Sequence, residues 1–268
     1  MNIGIIGAGN MGGALYKNLR LAGDVVVVAD RNEQTQKRLN LPPECYFESA
    51  SKMLDKKAFD VLMLCIKPQS LDAFASECFI AEKQPKALLI SILAGTSLRE
   101  LSAKTGMKRI IRAMPNLAVT VGAGVIGWVA SDLVNKYDRD FCENTFSKMG
   151  LSLELKTEEQ INQITSLSGS GPAYFFYLTE VLQQQAETYG FPREQAQAIA
   201  VQTAVGAAHV MQGNGQGTPG SPKEWRQAVT SKKGTTEAAL QYLQAHAFED
   251  IFKEAVLRAK ERAEELSG

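Results

Sequence analysis

The 268-residue sequence predicts an α/β N-terminal domain followed by an all-α C-terminal domain. Three observations predict it. Short, β-rich apolar runs alternate with segments of helical composition through the first half. The first of these runs leads directly into a glycine-rich turn, Gly7-Ala8-Gly9-Asn10-Met11-Gly12. After Lys156 the texture changes: Glu, Gln and Ala take over and β-branched runs become rare. The expected domains are therefore 1–156 and 157–268.

Taken in order, "IGIIG" is the first strand and "MGGALYKNLRLAG" the helix after the glycine turn. "VVVVAD" is the second strand and ends in Asp30, close to the roughly 20-residue spacing of the dinucleotide fingerprint. Together these features specify a Rossmann-type domain. Gly7 makes the tight turn, Gly9 lets the backbone approach a pyrophosphate, and Gly12 permits close helix–strand packing. Asp30 is placed to bond the ribose hydroxyls of NAD and to repel a 2′-phosphate. Its neighbour Arg31 is suited to pair with that phosphate instead. Both NADPH and NADH therefore stay open as cofactors.

The strands continue through "DVLMLCIK", "ALLISIL", "RIIRAMPN" and "GAGVIGWVA", ending near "LSLEL". Runs this apolar suit a parallel sheet with both faces covered by helices. Two segments fall where strands end, at the edge where such sheets bind ligands. These are Cys65-Ile66-Lys67-Pro68-Gln69 and Arg112-Ala113-Met114-Pro115-Asn116, each with a proline that turns the chain out of the strand. They are expected along the nicotinamide half of the cofactor. Lys67 reads equally well as a solvated lysine before a helix-start proline.

In the second half, helices are expected at about 172–189, 192–212, 223–230, 236–245 and 247–266. Pro172 suits a first helical turn, and Gly190 with Pro192 a stop and restart. "GNGQGTPGSP" at 213–222 reads as a flexible loop. From Thr157 to Pro222 there is no lysine, one arginine (Arg193) and one histidine (His209, read as a packed residue). A dehydrogenase acting on an alcohol needs a base for the hydroxyl proton. A protonated imine needs none: the transferred hydride neutralises the nitrogen, and the protein has to bind, orient and exclude water. Ser231-Lys232-Lys233-Gly234-Thr235-Thr236 opens a helix with N–H and hydroxyl donors suited to a carboxylate. It reads also as an N-cap, with Gly234 or Thr235 at the start and Glu237 favouring the dipole. "LSGSGPAYFF" suggests a close backbone approach, or a helix start capped by Ser170.

Composition narrows the rest. Apolar residues make up 45% of the chain, enough for a core. Lys plus Arg equals Asp plus Glu, 29 each, which argues against a nucleic-acid binder. The four cysteines form no CxxC pair and read as small buried hydrophobes in a reducing cytoplasm, with no metal site. No charged segment precedes the first strand, so no signal peptide is expected. The longest apolar runs are too short to span a bilayer, so no membrane association is expected.

Together, GAGNMG at 7–12, CIKPQ at 65–69, RAMPN at 112–116, SGSGPAY at 168–174 and VTSKKGTTEAAL at 229–240 resemble pyrroline-5-carboxylate reductases over essentially the whole chain. The resemblance implies reduction of 1-pyrroline-5-carboxylate to L-proline by NADPH or NADH. It implies a Rossmann domain followed by a helical domain that interlocks with that of a partner subunit, giving a homodimer. It further implies that Ser231, Gly234, Thr235 and Thr236 bind substrate, with Thr236 donating to the ring nitrogen. Asn10 and Met11 would touch the phosphates, and Lys67 and Pro68 the nicotinamide side. Two departures stand out. The family's Ser-Pro-Gly-Gly-Thr-Thr has Lys232-Lys233 here in place of Pro-Gly, which puts the loop geometry in question, and the 213–222 loop is longer than usual. Two rival readings remain. A hydroxyacid-dehydrogenase-type reductase would carry a catalytic lysine on the long helix after the boundary, and "PAYFFYLTEVLQQQAETYG" has none. A non-catalytic dinucleotide sensor would need only the first loop.

Overall fold

The computed structural model of the protein describes residues 1–21, 23–213 and 220–267. Most of the expected 213–222 loop lies outside the described residues. The chain forms two compact units, Met1–Ser170 with Ala259–Gly268, and Gly171–Arg258.

The first unit is built on one sheet. Its strands are β1 (Asn2–Ile6), β2 (Val25–Ala29), β3 (Tyr46–Phe47), β4 (Val61–Leu64), β5 (Leu88–Ser91), β6 (Ile110–Pro115), β7 (Gly124–Ala130) and β8 (Gly150–Glu154). They lie in the order β3-β2-β1-β4-β5-β6-β7-β8. Successive side chains of a strand point to opposite faces, and both faces are covered. Ile3, Ile5, Val26, Val28, Val61 and Met63 fill one core. Ile6, Val27, Leu62, Leu64 and Leu89 fill the other. This is why the strands read as unbroken apolar runs.

Two features differ from the sequence expectation. β7 runs antiparallel to β6, whereas all other neighbours are parallel. The connection holds only the 3-10 turn Leu117–Val121, and a parallel return needs a crossover of a dozen or more residues. β3 was not anticipated, because two residues make no periodic run.

The first unit also runs beyond residue 156, where strand composition ends. The helix Glu159–Ile164 follows, with Ile161 buried, and the Ile164 side chain lies within about 3 Å of where a Cβ on Gly127 of β7 would stand. The chain's last turn belongs to this unit as well. Ser267 Oγ donates to Asn162 Oδ1 at 3.1 Å, and a Cβ on Gly95 would meet the Leu266 carbonyl oxygen at 2.6 Å.

The second unit is helical. Gly171–Thr188 and Arg193–Met211 pack side by side. They are joined through Gly190 at φ +92°, the left-handed stop that glycine favours. Pro222–Ala228, Thr235–Ala245 and the first part of the long helix Phe248–Leu266 follow, close to the expected bounds; the helix from Ala259 on belongs to the first unit. Among the described residues of 171–258, only Gly171, Ala186, Ala196 and Ala200 are buried. Phe175, Phe176, Tyr177 and Leu182 are more than half exposed in the single chain. His209, expected to be packed, is exposed too.

Candidate active site

The glycine turn leaves β1 at the point where the strand order reverses, between β1 and β4, the crevice at which open α/β sheets take ligands. Gly7 adopts φ +86° and its N–H donates to the Ala29 carbonyl at 2.8 Å. A Cβ on Gly7 would lie 2.9 Å from the Cys65 carbonyl oxygen, and one on Gly12 would lie 2.2 Å from that of Gly7. Neither position admits a side chain. Gly9 is different: its Cβ direction opens on free space, with no atom within 4 Å. The Gly9 carbonyl accepts the Gly13 N–H at 2.9 Å, so the helix Asn10–Leu21 begins here. The first N–H groups, at Asn10, Met11 and Gly12, have no intrahelical acceptor and form the positive end of the dipole. No acidic side chain occupies that first turn. The turn fits a dinucleotide pyrophosphate.

Asp30 follows β2, and its carboxylate is tied to the glycine turn. It accepts the Ala8 N–H at 2.6 Å and the Asn32 N–H at 2.8 Å. The Arg38 guanidinium donates to the Ala8 carbonyl, so the residue between the two glycines is held on both sides. The Tyr46 hydroxyl donates to the Asp30 carbonyl at 2.8 Å. Burial, then the Asp30 charge, pushes that phenol upward from its ordinary pKa. Beside these groups lies a cavity of about 360 Å³, bordered by Gly7, Gly9, Asp30, Arg31, Lys67 and Glu77. Lys67 is extended at ψ 142°, as a residue before proline should be, and Pro68 opens the 3-10 turn Pro68–Ser70. Burial pushes the Cys65 thiol well above its usual range.

The RAMPN segment faces largely inward. Arg112 is buried and paired with Glu158 at 2.7 Å. The Asn116 side chain accepts the Val125 N–H and donates to the Ser168 carbonyl, both at 3.1 Å. Met114 is half-buried, and its Cε would touch a Cβ on Gly169 at 3.0 Å. Met114 and Asn116 thus border the "LSGSG" segment, which forms a π-helical turn over Thr165–Gly169. Ser170 is helical and does not act as a cap: the π turn leads straight into Gly171–Thr188.

The second loop lies in the helical unit. The Ser231 carbonyl accepts the Gly234 N–H at 3.0 Å, which closes a tight turn. Lys233 stands at φ +59°, in the left-handed region that glycine favours. Its N–H donates to the Glu237 carboxylate at 2.6 Å. Gly234 is the N-cap of Thr235–Ala245, with no capping side chain. A Cβ there would be 2.3 Å from Ser231 Oγ. Thr235 and Thr236 occupy the first two helical positions, whose N–H groups no carbonyl of the helix can reach. Capping leaves room for an anion here: Glu237 takes one donor and leaves the threonines'. Among the described residues, no cluster of His, Cys, Asp or Glu is arranged to hold a metal.

Sequence reasoning missed Arg38 and Glu77. Each reaches the glycine turn or its cavity from a distant segment, and no local pattern announces that.

The sheet with its fitted dinucleotide turn, joined to a helical unit with a second donor loop, defines a nicotinamide-dependent oxidoreductase. Comparison with known proteins agrees. Residues 2–95 match the family model "NADP oxidoreductase coenzyme F420-dependent", and 158–266 match "Pyrroline-5-carboxylate reductase dimerisation". A pyrroline-5-carboxylate reductase of Pseudomonas aeruginosa is 34% identical over 99% of this chain and 96% of its own. The structure of one from Coxiella burnetii is 32% identical with a TM-score of 0.85, covering 100% of this chain and 98% of that one. The chain belongs to the pyrroline-5-carboxylate reductase family. A pyrroline carboxylate reductase from Plasmodium falciparum, solved with NADP bound, shares the fold at 22% identity and a TM-score of 0.84, covering 100% of this chain and 98% of its own.

Proposed function

We infer that the protein reduces (S)-1-pyrroline-5-carboxylate to L-proline with NADPH or NADH, the last step of proline biosynthesis. The observation that carries this is the 231–236 loop. It forms a turn with Lys233 in the left-handed region and carries Thr235 and Thr236 at the helix start, even with Lys232-Lys233 in place of the Pro-Gly that the resemblance leads one to expect.

Residues 1–156 serve the cofactor, and 157–268 serve substrate and dimerisation. Gly7, Gly9, Asn10, Met11 and Gly12 would hold the pyrophosphate, with Asp30 and Arg31 at the adenosine ribose. Lys67, Pro68, Met114 and Asn116 belong to the nicotinamide side, Asn116 by shaping the segment through Ser168. A bound nicotinamide supplies the hydride. The substrate carboxylate takes the N–H and hydroxyl donors of Ser231, Thr235 and Thr236. Gly234 contributes by its missing Cβ, since its own N–H is used by Ser231. The Thr236 hydroxyl would donate to the ring nitrogen as hydride arrives, when the nitrogen of a protonated imine loses its charge and regains a lone pair. Hydride addition at the imine carbon removes the charge of a protonated ring nitrogen, so no protein base is required.

The exposed apolar faces of Gly171–Thr188 and Arg193–Met211 suit a second copy of the chain, giving a homodimer with interlocked helical domains. No described helix is long and apolar enough to cross a membrane, and the four unpaired cysteines suit the cytoplasm. Neither a nucleic-acid partner nor a metal is part of this reading. The test is direct: follow NADPH or NADH absorbance with 1-pyrroline-5-carboxylate. Firm cofactor binding without turnover would favour a dinucleotide sensor instead.

A further inference from the structure

We propose that Glu77 sets the balance between NADH and NADPH by occupying Arg31, the guanidinium next to Asp30. The inference rests on the cofactor reading above and adds to it a residue that no motif includes. Arg31 Nη2 donates to Glu77 Oε2 at 2.6 Å, and both side chains border the cavity beside the glycine turn.

The charges decide the direction. NADPH differs from NADH by one phosphate at the adenosine 2′ position, and Arg31 is the side chain suited to pair with it. In this protein Arg31 is already engaged by a carboxylate. The cavity is bordered by three carboxylates, Asp30, Glu48 and Glu77, against two cations, Arg31 and Lys67. An incoming 2′-phosphate must compete with Glu77 for Arg31 and approach a rim of its own sign. NADH meets neither cost.

Glu77 has no local reason to be acidic. It ends the helix Leu71–Glu77, where the dipole's negative end disfavours a carboxylate. Its partner lies 46 residues away in sequence, so the pair is a tertiary choice. The ion pair is 68% and 60% exposed, so it is weak enough to yield and its effect is a bias rather than a block.

The experiment measures dissociation constants of NADPH and NADH by calorimetry, without substrate, for the native protein and for Glu77→Gln, Arg31→Gln and the double variant. Glu77→Gln should tighten NADPH by about three- to fivefold, the range of an exposed ion pair, and leave NADH within about 1.5-fold. The gain should shrink at high salt. In the Arg31→Gln background the same substitution should lose most of its effect, because Glu77 acts through Arg31. An unchanged NADPH:NADH ratio in Glu77→Gln, with both cofactors still bound, overturns the inference alone. A gain fully retained without Arg31 also overturns it, since Glu77 would then act on the phosphate directly. Failure of the native protein to bind either cofactor overturns the inference together with the cofactor reading.

Discussion

Lys233 offers a test of strain and function together. It stands at φ +59°, in the left-handed region where an L side chain costs about 1 kcal/mol relative to glycine. Nothing on the side chain offsets that cost: Lys233 is exposed, and no ion pair involves it among the described residues. The one bond it makes, from its N–H to Glu237 at 2.6 Å, belongs to the main chain and survives substitution by any residue but proline. Lys233→Gly relieves the strain and is opposed by glycine's extra freedom in the unfolded chain. The net expectation is a gain of about 0.5 kcal/mol at most, or roughly 1–2 °C in melting temperature for a chain of this size. Lys233→Ala is the control, because it keeps the strained backbone and should gain nothing. Scanning calorimetry at one fixed protein concentration reads both, since subunit association makes melting concentration-dependent. Equal melting temperatures for the Gly and Ala variants would refute the strain argument. The same pair reads function. If the ammonium adds attraction for the substrate carboxylate, both variants raise the KM for 1-pyrroline-5-carboxylate, more so at low salt, and leave the KM for NADPH alone. If neither moves it, the anion is held by N–H groups and hydroxyls only.

Thr236→Ala should lower turnover by about 2 kcal/mol in transition-state stabilisation, as for one hydrogen bond in a preorganised site, with the melting temperature within a few degrees. A fully active but less stable Ala variant would reduce Thr236 to a helix-start residue. Asp30→Asn should shift the ratio of catalytic efficiencies toward NADPH by at most about tenfold. It should also weaken both cofactors, since a neutral amide is a poorer acceptor for the Ala8 and Asn32 N–H groups that the carboxylate now holds. An unmoved ratio would confine Asp30 to bracing the turn. Gly12→Ala places a methyl 2.2 Å from the Gly7 carbonyl, which must shift. Calorimetry should show cofactor affinity falling at least about tenfold and stability by about 1–3 kcal/mol. Native affinity in that variant would mean that the turn tolerates the displacement.

The sequence determined the elements and the glycine turn, because both rest on local physics. Apolar runs such as "VVVVA" are buried on both faces and stay recognisable without knowledge of their neighbours. The helical stops at Gly190 and the restart at Pro192 depend on a few adjacent residues. Gly7, Gly9 and Gly12 announce a tight turn by their spacing between a strand and a helix. What the sequence left open depends on contacts between distant segments. The direction of β7 follows from a short link and a register, not from composition. The ties on Ala8 come from Asp30 and Arg38, and the partner of Arg31 comes from Glu77. Asn116 reads as a cofactor residue, yet its amide bridges Val125 and Ser168. Lys233 shows the division within one residue. From composition a lysine argues against a left-handed turn, but Gly234 held by Ser231 and the Lys233 N–H held by Glu237 together impose it. A local preference of about 1 kcal/mol gives way to hydrogen bonds worth about as much each, made to partners three and four residues away once the turn and the helix start are formed, whereas the ties on Ala8 and Arg31 exist only in the tertiary structure.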